Sequence, residues 1–299
     1  MACTYWPRIL YDINGNLLVK ADQEISEKII EEAIDKNKIA SSQLLLSQTK
    51  IINDIIEKIG SGIYKVIFAD KKNSDKVIDI LTQTSFAELI IRELENIKIN
   101  LPDTYSHILV VAALSIKICL DLSNDGFNPQ QIAEIGLVHD IGKSRIPVEI
   151  IEKDKPLTHE EFKIIQTHPW IDHLLISHYL NSTKSFVAKA ALCHHERLDG
   201  SGYPLGIANI DNYVQTIIPC DIFDALISHR PYRSAPFTLR AALDLLLDES
   251  KKGKINDKFV KCLISYSRKD KPHYKDLKPS KINRDAPPKI NYYGVRQEQ

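Results

Sequence analysis

Histidines and aspartates recur along the middle of this chain in an order that helix packing does not require: His107, His139-Asp140, His168, His194-His195 and Asp221. Imidazole and carboxylate donors together suit iron, manganese, cobalt, nickel or zinc. Adjacent helical residues point roughly 100° apart. His139 and Asp140 therefore both reach one centre only from its rim, and a carboxylate placed there can bridge two metals. His194-His195 repeats that logic at the end of another predicted helix. Asp221 stands in an apolar run, Ile217-Ile218-Pro219-Cys220-Asp221-Ile222-Phe223, where a carboxylate needs a strong partner such as a cation. The set points to a di- or trinuclear metal site and hence to a metal-dependent hydrolase. A lone histidine on a helix is ordinarily a core or surface residue, and His159, His173, His178, His229 and His273 are read that way.

The elements that must position these groups read as mainly helical. Residues 8–11 and 17–20 flank Asn14-Gly15, a hairpin signal. Ser26 fits an N-cap before a helix at residues 27–36, and a second helix covers residues 49–59 up to Gly60-Ser61-Gly62. Residues 63–69 read as a strand. Residues 75–99 carry apolar positions at helical spacing, and Pro102 opens the next helix. A loop at Asn124-Asp125-Gly126 precedes a helix over residues 129–140. One long helix is predicted for residues 158–180, kinked at His168-Pro169. Helices at 185–195, 216–228, 239–250 and 257–266 complete a bundle, with a loop at 199–204. The expected organisation is a small α+β N-terminal domain (1–84), a helical metal-dependent domain (85–268) and a basic, Pro- and Lys-rich tail (269–299), poorly ordered.

Composition narrows the partners. Of 299 residues, 39 are basic and 39 acidic, so no global field favours nucleic acid or a membrane surface, and no DNA partner is expected. Cys3, Cys119, Cys193, Cys220 and Cys262 form no CxxC pair, which fits reduced thiols in a cytoplasmic protein. The N-terminus lacks the charge and apolar run of a signal peptide. The longest apolar stretch, residues 108–120, is broken by Lys117 and is shorter than the roughly 20 residues of a membrane span.

A longer string surrounds these ligands. His139-Asp140-Ile141-Gly142-Lys143 is followed by Ile146-Pro147, Leu157-Thr158, Glu160-Glu161 and His168-Pro169. Then come His194-His195-Glu196-Arg197-Leu198-Asp199-Gly200-Ser201-Gly202-Tyr203-Pro204, Asp221-Ile222-Phe223-Asp224-Ala225-Leu226 and Arg230-Pro231-Tyr232-Arg233. Over about residues 103–266 the chain resembles the HD-GYP family, a branch of the HD hydrolase superfamily. The resemblance implies a helical-bundle catalytic domain and a phosphodiesterase of cyclic di-GMP, cleaving it to linear pGpG or on to GMP. It implies metal ligands at His107, His139, Asp140, His168, His194, His195 and Asp221. Lys143 would contact the scissile phosphate, Arg230 and Arg233 would hold the ligand's phosphates, and Tyr203 would lie near it. Members with three metals carry a glutamate four residues before the first histidine. Asp103 stands there, so two or three divalent metals are implied, iron first and manganese second. The GYP loop is an implied docking point for a diguanylate cyclase (GGDEF) domain, and a homodimer is a further expectation.

The expected chemistry is in-line attack by a metal-bridging hydroxide, with Asp140 and Lys143 as catalytic residues. Asp224 is read either as orienting a ligand or as a salt-bridge partner. The competing readings are a non-catalytic cyclic-dinucleotide receptor or scaffold, and a phosphodiesterase for another cyclic dinucleotide such as cyclic GMP-AMP. Phosphate and metal contacts are blind to the base.

Overall fold

Apolar positions at helical spacing dominate after residue 50, and the structure is accordingly mainly α. It is a computed structural model that describes residues 5–39, 42–122, 126–278 and 285–289. At the N-terminus β1 (Tyr5–Trp6), β2 (Leu10–Tyr11), β3 (Leu17–Val19) and β4 (Gln23–Glu24) form two small antiparallel pairs, β1 with β4 and β2 with β3. The expected hairpin at Asn14-Gly15 is the β2–β3 turn. The buried Asp12 holds it, accepting hydrogen bonds from the backbone N–H groups of Asn14 (2.9 Å) and Asn16 (2.8 Å). Then follow α1 (Glu27–Lys36), β5 (Gln43–Leu45), α2 (Ile51–Ile59), α3 (Tyr64–Ile67), α4 (Lys71–Gln83) and β6 (Ser85–Ala87). Ser26 is the N-cap of α1 as expected, though its side chain makes no capping bond.

The helical part comprises α5 (Glu88–Asn100), α6 (Pro102–Asp121), α7 (Pro129–Val138), α8 (Val148–Ile151), α9 (His159–Ile165), α10 (His168–Tyr179), α11 (Phe186–Leu192), α12 (Asn212–Ile227), α13 (Leu239–Lys251) and α14 (Asp257–Tyr266). At its centre is α6, packed against α2, α5, α7 and α12 and buried almost all round. A helix apolar on every face belongs inside a core, where each fully buried Leu or Ile contributes about 2 kcal/mol. By length and composition α6 would cross a membrane, a possibility the shorter stretch at residues 108–120 had set aside. Most of it is covered by the rest of the fold. Its Lys117 is buried, with Nζ 4.2 Å from the centre of the Tyr266 ring.

Three expectations are corrected. Residues 63–69 do not form a strand. Ile67 and Phe68 are buried while Lys65 and Val66 are exposed, a helical and not an alternating pattern, and the segment turns as α3. The run at 75–99 is not one helix: β6 interrupts it and pairs with β5, Gln43 opposite Ala87. The predicted kink at His168-Pro169 is a full break between α9 and α10. Pro169 lies in the first turn of α10, where its missing N–H costs nothing. The tail is described in part: Tyr274–Asp276 form a 3-10 turn and Leu277 is buried. Residues 279–284 and 290–299, like Asn124 and Asp125 of the expected loop, lie outside the described residues.

The N-terminal hairpin is tied to the helical part by polar contacts that run from the surface into the core. His178 Nε2 lies 3.1 Å from Asp12 Oδ2, and Ile13 N–H donates to Tyr179 Oη (3.1 Å). Tyr179 Oη donates to Glu93 (2.5 Å), which also accepts from Arg145, and Arg145 Nε donates to the carbonyl of Tyr11 (2.9 Å). Glu93 is fully buried. Removing one partner of a buried pair strands the other. Glu93→Ala is therefore expected to cost about 3–5 kcal/mol of stability, read as a lower urea midpoint. A loss below about 1 kcal/mol would show that this network does not brace the fold.

Candidate metal centre

Helix ends build the site. The last carbonyls of a helix have no intrahelical partner, and three histidines supply one. His139, just past α7, donates from Nδ1 to the Gly136 carbonyl (2.8 Å). His168, after α9, donates to Ile165 (2.6 Å), and His194, after α11, donates to Ala191 (2.6 Å). Each bond spans three residues and spends the Nδ1 proton, so Nε2 is left with its lone pair facing the centre. The partial negative charge at these helix ends favours a cation there. His107, within α6, uses a side chain for the same purpose: its Nδ1–H donates to Asp224 Oδ2 (2.5 Å).

Between these imidazoles lies the fully buried carboxylate of Asp140. Its Oδ2 is 3.5 Å from Nε2 of both His107 and His139. Its Oδ1 is 3.2 Å from His168 Nε2 and 3.5 Å from His194 Nε2. One oxygen thus faces each of two donor groups, the first of His107, His139 and Asp221, the second of Asp140, His168, His194 and His195. Asp221 Oδ1 lies 3.1 Å from His107 Nε2 and Oδ2 lies 3.9 Å from His195 Nδ1, so this carboxylate also touches both groups.

The donors fit metal ions. His168 Nε2 is 3.1 Å from His195 Nε2 and 3.3 Å from His194 Nε2. His139 Nε2 and Asp140 Oδ1 are buried without a hydrogen-bond partner among the described residues. Lone pairs facing lone pairs in a buried place repel, and a cation between them turns each into a ligand. Burial holds His139 and His168 down to a pKa of about 4, so both stay neutral and able to ligate. Burial would raise Asp140, but the Lys143 ammonium beside it holds its carboxyl well below the carboxylate range.

The motif residues around the ligands divide by role. Lys143 Nζ lies 2.6 Å from Asp140 Oδ2 with its side chain 22 % exposed, at the rim of the cluster. The Gly142 N–H donates to the buried Asp172 (2.5 Å), and a Cβ on Gly142 would sit 2.5 Å from the His168 carbonyl. A glycine is therefore needed for this turn to lie against α10. Glu196 accepts from the N–H groups of Leu205 (2.6 Å), Gly206 (3.2 Å) and Ile207 (3.0 Å), which folds the loop back on itself. A Cβ on Gly202 would lie 2.4 Å from the Glu196 Cα, so the first letter of Gly202-Tyr203-Pro204 admits only glycine. The Tyr203 ring stacks on His195, centroids 4.6 Å apart.

Three expected residues stand apart from the two groups. Arg230 is half-buried, with Nη2 3.6 Å from Asp224 and with Nε lacking a partner among the described residues. Arg233 is 6 % exposed and donates to the carbonyls of Ala225, Leu226 (2.8 Å) and Ser228 (3.3 Å), capping α12. Asp103 is 63 % exposed and lies 3.9 Å from His229 Nδ1, outside both groups. Asp172 and Glu196 were missed by sequence reading, although Glu196 stands within the quoted motif. Tyr64 was missed as well: its hydroxyl donates to Asp224 Oδ1.

The family model described as HD domain matches residues 89–258, more than half of the chain. A cyclic di-GMP phosphodiesterase of Pseudomonas aeruginosa is 35 % identical over 132 residues, 44 % of this chain and 32 % of that protein. The cyclic di-GMP phosphodiesterase response regulator RpfG of Xanthomonas campestris is 41 % identical over 111 residues, 36 % of this chain and 29 % of the relative. A 3'3'-cGAMP-specific phosphodiesterase of Vibrio cholerae is 32 % identical over 167 residues, 55 % of this chain and 38 % of the relative. The chain thus spans about a third of the length of these curated relatives.

Because Asp140 serves both groups and His195 only one, their removal should differ. Asp140→Ala is expected to lose nearly all bound metal, and His195→Ala to keep one ion, by elemental analysis of folded, gel-filtered protein. A full metal complement in Asp140→Ala would contradict the bridging arrangement.

Proposed function

The chain belongs to the HD domain family and carries the HD-GYP signature, and from that premise we propose that it hydrolyses cyclic di-GMP to linear pGpG or GMP. The observation that carries this reading is the Asp140 carboxylate shared between two histidine-rich donor groups. The named activities of the relatives supply the substrate class. Two divalent ions, iron or manganese as the family resemblance implies, would be held by His107, His139 and Asp221 on one side and by Asp140, His168, His194 and His195 on the other. Bound there, they lower the pKa of water and offset charge on phosphoryl oxygens.

The chain's own groups do the rest. Asp140 and Asp221 fix the two donor groups at one separation. Lys143, at the rim beside Asp140, contacts the scissile phosphate. Arg230, with a donor unspent, holds a second phosphate as a planar fork. Arg233 acts indirectly, by fixing the end of α12 from which Arg230 follows. Tyr203 packs on His195 and borders the ligand. Asp103 and a third ion remain part of this proposal only as an outer position, one helical turn from His107. Residues 1–84 act as a regulatory unit, residues 85–268 as the catalytic domain and residues 269–299 as a tail. Leu205 and Ile207, exposed beside the Gly202-Tyr203-Pro204 turn, support docking of a diguanylate cyclase domain. The free thiols of Cys119, Cys193, Cys220 and Cys262 fit a cytoplasmic location.

The longer aligned stretch with the cGAMP-specific relative keeps 3'3'-cGAMP as the second substrate reading. Anaerobically purified protein is expected to contain metal and to convert cyclic di-GMP faster than 3'3'-cGAMP, with products followed by chromatography. The reverse preference selects the second reading. Fully metallated protein that binds the dinucleotide without cleaving it would mark a receptor and contradict the enzyme. Lys143→Ala is expected to lower kcat about 10²–10³-fold at similar metal content. Wild-type kcat in that variant would remove Lys143 from the chemistry.

A further inference from the structure

We propose that Tyr64, in the N-terminal part of the chain, is a positioning residue for the metal centre, fixing the imidazole of His107 through Asp224. The inference rests on the metal-centre reading above. Tyr64 lies on α3, outside the region matched by the family model, which begins at residue 89.

Four groups meet at the buried Asp224. Oδ1 accepts from Tyr64 Oη and from Ser228 Oγ (3.0 Å). Oδ2 accepts from His107 Nδ1 (2.5 Å) and lies 3.6 Å from Arg230 Nη2. A carboxylate turns easily about its last torsion, which is broad and nearly two-fold. Two donors on Oδ1 stop that rotation and leave Oδ2 aimed at His107. In turn His107 Nε2 is held 3.1 Å from Asp221 and 3.5 Å from Asp140. Without the phenol, Oδ1 loses a buried donor, and the carboxylate is freer to turn towards Arg230. His107 then loses the partner that sets both its tautomer and its ring orientation.

The far side of α3 is held too. Lys271 Nζ donates to the carbonyls of Val66 (3.1 Å) and Ile67 (3.4 Å). A one-turn helix is thus clamped between the segment after α14 and the outer support of a metal ligand. Any displacement of α3 reaches His107 through two hydrogen bonds, which gives the N-terminal part a direct physical route to the metal centre.

The test is titration of the chelator-stripped 299-residue chain with Mn²⁺ by calorimetry. Tyr64→Phe is expected to weaken one of the two Mn²⁺ affinities about tenfold, with the other affinity unchanged and the metal-free protein still folded, its melting temperature somewhat lowered by the lost buried hydrogen bond. Tyr105→Phe is the control. It removes a hydroxyl bonded to Asp54 on α2 (2.7 Å), with no path through Asp224, and leaves both affinities as they were. In an Asp224→Ala background Tyr64→Phe adds nothing, because the two act in series. Wild-type Mn²⁺ affinity in Tyr64→Phe, equal weakening in Tyr105→Phe, or additive losses in the Asp224→Ala background would each overturn the proposal. Protein that binds Mn²⁺ but never cleaves cyclic di-GMP removes the proposed activity and leaves the Tyr64 readout intact. Protein that takes up no Mn²⁺ overturns both.

Discussion

Asp140 holds its carboxylate fully buried among imidazole nitrogens that have already spent their Nδ1 protons elsewhere. An ion buried in that way without compensation would cost more than a domain's whole margin of stability. Lys143 at the rim offsets part of that cost, and cations bound on either side would offset the rest. The fold can be understood as the means of bringing these groups together. Three helix ends converge so that their spare carbonyls fix three histidines. The central helix α6 contributes His107 from within the core, and α12 contributes Asp221 and Asp224, one to each nitrogen of that imidazole. The glycines at 142 and 202 let the connecting turns lie where a side chain would collide with backbone.

The outer contacts follow the same economy of polar groups. Glu196, Asp172 and Asp224 do not belong to the two ligand groups, yet each accepts hydrogen bonds that orient a turn or a ligand beside them. The N-terminal part joins this layer twice. Its hairpin grips α10 and the turn after Lys143 through Asp12, Tyr179 and Arg145, and α3 reaches Asp224 through Tyr64. Both connections run through hydrogen bonds to buried side chains, Asp12 and Asp224, which ties the N-terminal part mechanically to the centre.

Much of the centre was legible in sequence because its chemistry is carried by residue type and order. Paired His139-Asp140 and His194-His195, with Asp221 in an apolar run, have no simpler explanation than metal ligation. The hairpin at Asn14-Gly15 and most helices were legible for an equally local reason, turn chemistry and apolar period. What escaped reading depends on contacts between distant residues. Residues 63–69 are rich in β-branched side chains and suggest a strand, but their burial against the helical part selects a turn of helix. The break at β6 reflects pairing with β5, some forty residues earlier in the chain. Arg233 lies near Arg230 in a motif and reads as a phosphate ligand, yet its guanidinium is surrounded by the carbonyls ending α12. Tyr64 carries no local signal at all, since its partner is 160 residues away.

The central claim is that one carboxylate is shared between two metal positions. Anomalous diffraction from crystals of Mn²⁺-loaded protein tests it most directly. The account predicts two peaks flanking Asp140, one among His107, His139 and Asp221 and the other among His168, His194 and His195. A single peak, or peaks that leave Asp140 without a metal contact, would contradict it.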